Sequence, residues 1–142
     1  MLSKNQARLF FLGGTVLFFL IFLFLSANTL SSGIPEKTHS ENITEEVTNG
    51  KQLFDENNCM GCHTILGEGA YYAPELTKVI DRRGEGFVKA VLTSKTPWTL
   101  SGRKMVAYGF SDKEANDLIA FFKWIGKMDL NGFPPKPDLK KE

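Results

Sequence analysis

Cys59-Met60-Gly61-Cys62-His63 is the stretch that decides the fold. It has the C-x-x-C-H form of covalent haem attachment. Two thiols separated by two residues, at the end of a helix, reach the two vinyl groups of one haem edge. The adjacent His then falls beneath the porphyrin and can bind iron. Both sulfurs are used up as thioethers, and the chain has no other Cys. A thioredoxin-like pair would lie near a βαβ pattern, which is missing. A zinc site needs about four ligands, and the chain offers Cys59, Cys62, His63 and His39, the last in a polar stretch. Cysteines this close together cannot staple distant segments, so a disulfide scaffold is excluded. The expected cofactor is one covalent haem c.

The second axial ligand must come from elsewhere. Met60, Met105, Met128 and His39 are the candidates. Met60 lies inside the attachment loop and cannot reach the opposite face. Met128 follows the last helix and suits packing. Met105 lies in residues 101–109, an irregular segment just ahead of the final helix, from which a loop can cover the distal haem face. Met105 is therefore the expected ligand. A thioether raises the reduction potential and closes the iron to small molecules, which points to an electron carrier.

Outward from this site, the N-terminal side is an anchor. No charged residue occurs from position 9 to position 35. Residues 9–30 are long enough for a bilayer core, which needs about 20 apolar residues in a helix. The run exceeds a signal-peptide core, and Leu25-Ser26-Ala27 is a poor cleavage site. It is apolar on all faces, so a small domain could not enclose it. Lys4 and Arg8 precede the run, and only Lys37 follows closely. That bias places the N-terminus inside and the bulk of the chain outside the cytoplasm, the side on which bacterial haem c is attached. Gly13-Gly14 offers a smooth spot for another membrane helix.

The remainder is small for an independent core. A haem disc supplies the missing apolar surface, so the domain is expected to need haem to fold. The 142 residues carry 17 Lys/Arg against 16 Asp/Glu, a net +1, which gives no support to nucleic-acid binding.

The pattern predicts an all-α fold. Thr48 or Asn49 caps a short helix through Glu56. Pro74 suits a helix start, with Leu76, Val79 and Ile80 as its stripe. Residues 87–92 make another short helix. Ser111-Asp112-Lys113-Glu114 has capping-box form, and Ala115, Leu118, Ile119, Phe122 and Ile125 follow a buried-face spacing. The expected organisation is residues 1–8 cytoplasmic, 9–30 transmembrane, 31–48 periplasmic linker, 49–130 monohaem domain and 131–142 Pro-rich tail. Gly50 and Phe54, with Phe121, Phe122 and Trp124, resemble the first-to-last helix crossing of class I cytochromes c.

Residues 59–76 (CMGCHTILGEGAYYAPEL), Arg82-Arg83-Gly84, Gly102-Arg103-Lys104-Met105 and residues 117–137 (DLIAFFKWIGKMDLNGFPPKP) carry a closer likeness. They resemble the small cytochrome c subunit of bacterial cytochrome-c-dependent nitric oxide reductase. The resemblance implies a heterodimer with a large membrane subunit holding haem b and a haem–non-haem iron centre, which reduces nitric oxide to nitrous oxide and water in denitrification. This chain would be its non-catalytic electron-transfer subunit in the bacterial inner membrane, fed by a soluble periplasmic cytochrome c or cupredoxin. The loop of residues 67–72 would sit at the interface between the two subunits, with Gly69 and Tyr71 helping to hold a shared calcium ion. Backbone carbonyls are suitable calcium ligands. The competing functions are a free-standing anchored cytochrome c serving a terminal oxidase, and a haem-based gas sensor.

Overall fold

The structure is a computed structural model that describes residues 3–100 and 102–133, with Leu100 described by its backbone alone. Two compact units divide at residue 37/38. The first holds helix α1 (Lys4–Asn28), opened by a reciprocal cap between Ser3 and Gln6. None of its residues is buried, and it belongs to a helical run from Lys4 to Thr38 long and apolar enough to cross a membrane. A π-helical turn (Thr29–Gly33) and helix α2 (Ile34–Thr38) continue it. The segment expected to begin a linker is thus helical. Pro35 supplies no backbone N–H, and the ladder widens to its π form just ahead of it.

The second unit begins at Thr38, earlier than the boundary at 49 expected from the sequence. Trp124 ties this early stretch down by donating its indole N–H to the His39 carbonyl at 3.2 Å. Helix α3 (Glu45–Glu56) is capped by Thr44, whose hydroxyl accepts from the Val47 N–H, and not by Thr48 or Asn49. Glu45 and Glu46 in its first turn complement the positive helix end. The buried side chain of Val47 anchors that turn.

Then come a 3₁₀ turn (Cys59–Gly61), strands β1 (Thr64–Ile65) and β2 (Glu68–Gly69), helices α4 (Val79–Arg83) and α5 (Glu85–Thr93), strands β3 (Trp98–Leu100) and β4 (Arg103–Met105), and helix α6 (Asp112–Lys127). Each strand pair is an antiparallel hairpin. Both are too short to produce an alternating pattern in sequence, and the architecture remains mainly helical. Met105 accordingly sits at the end of a strand, where an irregular segment was expected. Pro74 does not start a helix. The chain there runs along the attachment loop, with the Leu76 N–H donating to the Thr64 carbonyl at 2.8 Å, and the helix waits until Val79. The Pro-rich part of the tail, from residue 134, lies outside the described residues.

The core is built where α3 crosses α6. Ser111 and Glu114 form the expected reciprocal cap of α6. Its inner face buries Ala115, Leu118, Ile119, Phe121, Phe122 and Ile125. Phe54 of α3, 1% exposed, packs at 5.5 Å from the Phe121 ring and 6.0 Å from Phe122. Such pairs add about 0.5–1.5 kcal/mol beyond area burial. Gly50 makes the crossing close: a Cβ there would lie 2.6 Å from the Asp117 carbonyl carbon and 2.9 Å from Phe121 Cβ. This crossing sets the end of α3, and the end of α3 carries the site.

Candidate haem site

Helix α3 ends at Glu56, and Asn58 turns the chain with a left-handed backbone (φ 48°). Asn tolerates that conformation better than most residues. The next three residues form the 3₁₀ turn, and the His63 N–H donates to the Cys59 carbonyl at 2.9 Å. Both thiols thus stand on one turn at a helix end, the placement that attachment to one haem edge requires. Both are free; Cys59 is half-buried against the core and Cys62 is exposed. Burial, with smaller contributions from Asp55 and Cys62, pushes the Cys59 thiol up to about 11.

His63 is held from one side. Its Nδ1 lies 2.6 Å from the Pro74 carbonyl oxygen. A carbonyl only accepts, so Nδ1 carries the hydrogen and Nε2 keeps its lone pair. Burial moves the imidazole below its ordinary range, with the Pro74 contact acting weakly in the opposite direction. A neutral ring oriented through Nδ1 in this way is the form that could bind a metal through Nε2.

Residues 66–77 wrap over the carbonyls of the attachment turn. The Ala70 N–H is shared between the Met60 and His63 carbonyls, and the Ala73 N–H donates to the Cys62 carbonyl at 2.8 Å. Gly69 (φ 111°) lies so close to the His63 carbonyl that a side chain would collide with it. Fully buried Thr77 accepts from the Leu66 N–H at 2.7 Å and fixes the β1–β2 turn. Tyr71, the other residue expected near calcium, is 81% exposed. Among the described residues no group of three or more His, Cys, Asp or Glu is set up for a metal ion, so a calcium ion at Gly69 and Tyr71 would rely on backbone carbonyls.

Met105 is half-buried and packs against the core. Its segment is tied at both ends to residues flanking the attachment turn. Arg103 donates to the Tyr72 carbonyl and lies over the Tyr72 ring at 5.4 Å. Tyr108 donates to the Asn57 carbonyl at 3.4 Å and stacks on Phe110 with ring centroids 5.2 Å apart. His39 and Met128, the other ligand candidates, have other partners: His39 Nδ1 lies 3.5 Å from a Glu41 carboxylate oxygen, and Met128 is buried in the core.

Two thiols on one turn, an imidazole with Nε2 free and a thioether on a clamped segment fit a haem. Cys59 and Cys62 would bond it, His63 and Met105 would hold its iron, and the group would supply a one-electron couple. Sequence pattern alone assigns no part to the Pro74 carbonyl, Thr77 or Tyr108. Arg103 stands in a family-like motif, but its reach to Tyr72 depends on tertiary contact.

Comparison with known proteins agrees with this geometry. The cytochrome c family model matches residues 47–126. The nitric oxide reductase C-subunit from Stutzerimonas stutzeri is 39% identical over 141 residues, covering 96% of each chain. Its counterpart from Halomonas halodenitrificans is 38% identical over 144 residues, also 96% of each. The one from Paracoccus denitrificans is 32% identical over 147 residues, covering 94% of this chain and 95% of the relative. With a cytochrome c domain around the C-x-x-C-H turn and relatives aligned along nearly its whole length, this chain belongs to the family of small cytochrome c subunits of nitric oxide reductase.

Proposed function

We propose that this chain is the membrane-anchored electron relay of a nitric oxide reductase. It takes single electrons from a soluble periplasmic donor, a cytochrome c or a cupredoxin. It passes them to haem b of a large catalytic subunit, which converts two nitric oxide molecules to nitrous oxide and water. The chain itself performs no catalysis. One haem c is bonded to Cys59 and Cys62, with His63 and Met105 as axial ligands. Residues 9–30 cross the inner membrane, residues 1–8 are cytoplasmic, and the haem domain, which begins at Thr38, is periplasmic. The anchor keeps electron transfer within one complex, which replaces a diffusional encounter with a fixed distance. Gly69 and Tyr71 contribute carbonyls to a calcium ion at the interface between the two subunits.

The observation that carries this reading is the double tie of the Met105 segment, at Arg103–Tyr72 and Tyr108–Asn57. A ligand held at both ends keeps the sixth position filled, which favours electron transfer over gas sensing. Rapid mixing of the purified complex with a reduced donor tests the relay. Haem c is expected to be reduced first and haem b second, with nitrous oxide formed afterwards. Reduction of haem b while haem c stays oxidised would refute the relay. Prompt carbon monoxide binding to the reduced c haem would favour the sensor.

A further inference from the structure

Charge is unevenly distributed in the second unit. Residues 78–104 hold seven basic and two acidic residues, whereas residues 41–56 hold one basic and five acidic. In the basic stretch several cations are already engaged. Lys78 donates to the Gly126 carbonyl, Arg82 pairs with Glu75, and Lys89 pairs with Asp112. Glu85, one of the two acids, is taken by Lys123 at 2.7 Å. Among the described residues, Arg83, Lys95, Arg103 and Lys104 have no carboxylate partner.

These cations accompany exposed aromatic surface at the Met105 hairpin. Arg83 lies over the Phe87 ring at 5.6 Å. Phe87 meets Trp98 edge-to-face at 5.5 Å, and the two rings stay 40% and 38% exposed. Trp98 is the direct cross-strand partner of Met105, and exposed Lys104 precedes Met105 on β4, opposite Thr99 on the other face of the hairpin. Aromatic rings and Arg are the residue types enriched at the centre of protein interfaces. Unpaired cations steer an oppositely charged partner.

We propose that the exposed Phe87–Trp98 pair, with Arg83 over the Phe87 ring and the charges of Lys95 and Lys104 on the adjoining stretches of chain, receives the soluble electron donor, and that the donor's contacting face is acidic. The inference rests on the relay reading and on Met105 as iron ligand. A donor seated on Trp98 lies against the strand pair that carries this ligand. One electron then leaves the donor's reduced metal centre, which is oxidised, and arrives at the ferric iron held by His63 and Met105, which is reduced. No atoms are exchanged.

The test uses the purified complex of both subunits and two reduced probes, a small cytochrome c of net negative charge and one of net positive charge. The rate of c-haem reduction by the negative probe should fall about tenfold between ~10 mM and ~150 mM salt, as the Debye length shrinks from about 30 to about 8 Å. At low salt, Arg83→Glu/Lys95→Glu/Lys104→Glu should slow the negative probe about tenfold and accelerate the positive one. Co-purification of the large subunit should not change, and the midpoint potential of each variant is measured so that rates are compared at equal driving force. Lys104→Glu alone, at an exposed site, should give a smaller shift in the same direction and guards against misfolding of the triple variant. A salt-independent rate, or charge reversals without effect on the negative probe, would overturn the proposal. So would loss of the large subunit, which would make the patch part of the interface with it. Weakened binding to anionic vesicles with unchanged electron delivery would make it a lipid contact and equally overturn it. Salt-dependent reduction of haem c with no onward nitric oxide reduction would instead defeat the relay reading and leave the docking surface standing.

Discussion

The Nδ1 atom of His63 stands 2.6 Å from the carbonyl oxygen of Pro74, and this contact sets which ring nitrogen is free. Burial also lowers the imidazole's proton affinity in the folded chain. The unfolded chain therefore binds a proton at His63 more readily than the folded one. By linkage, stability from this residue is fully present above the ordinary His range, near 6.5, and is lost as pH falls below it. Denaturant midpoints measured at about pH 7.5 and pH 5 should show the lower value at pH 5. Equal midpoints would mean that His63 is not held neutral by the fold.

The α3–α6 crossing gives a steric prediction. Gly50→Ala forces a Cβ into the Asp117 carbonyl and Phe121 Cβ, with backbone on one side and a buried ring on the other. The cost should be about 3 kcal/mol, read as a lower denaturation midpoint and a lower yield of haem-loaded protein. Gly13→Ala, which meets nothing within 4 Å in this chain, is the contrasting control for folding of the haem domain.

A buried hydroxyl supports the site from below. Thr77→Val keeps shape but leaves the Leu66 N–H without its acceptor. Loss of one half-buried hydrogen bond costs about 1 kcal/mol. Faster hydrogen exchange at Leu66, with little change at the middle of α6, is the expected local signature.

Met105→Ala should retain covalent haem while lowering its potential, because the thioether that favours the ferrous state is gone. The weak sulfur-to-iron charge-transfer band of the oxidised protein should disappear, and carbon monoxide should bind the reduced protein. Arg103→Ala cuts the tie to Tyr72 and should produce the same changes in weaker form. An unaltered potential in Met105→Ala would assign the sixth position to another residue.

The features legible in sequence are those with local rules. Ser111 and Glu114 announce α6 because a capping box is a four-residue pattern, and the apolar spacing behind it matches the buried face. The apolar run and the C-x-x-C-H turn are equally self-contained. The start of α3 is not, because Glu45 and Glu46 add no apolar period and a single buried residue, Val47, fixes that turn. Residues 74–78 look like a helix start, but the Pro74 carbonyl serves His63, the Leu76 N–H serves Thr64 and the Thr77 hydroxyl serves Leu66. Those partners lie 11 or 12 positions away, beyond any local pattern. The Met105 hairpin is hidden for a related reason: three paired residues per strand leave too short an alternation to read.

Every proposed step requires one haem bonded through both sulfurs of the turn at the end of α3. Intact-mass measurement of the purified chain after extraction with acidified organic solvent tests it most directly. The predicted result is the polypeptide mass plus a single haem, lost when both Cys59 and Cys62 are replaced by Ser. A colourless polypeptide of unmodified mass, with all pigment in the solvent, would contradict it.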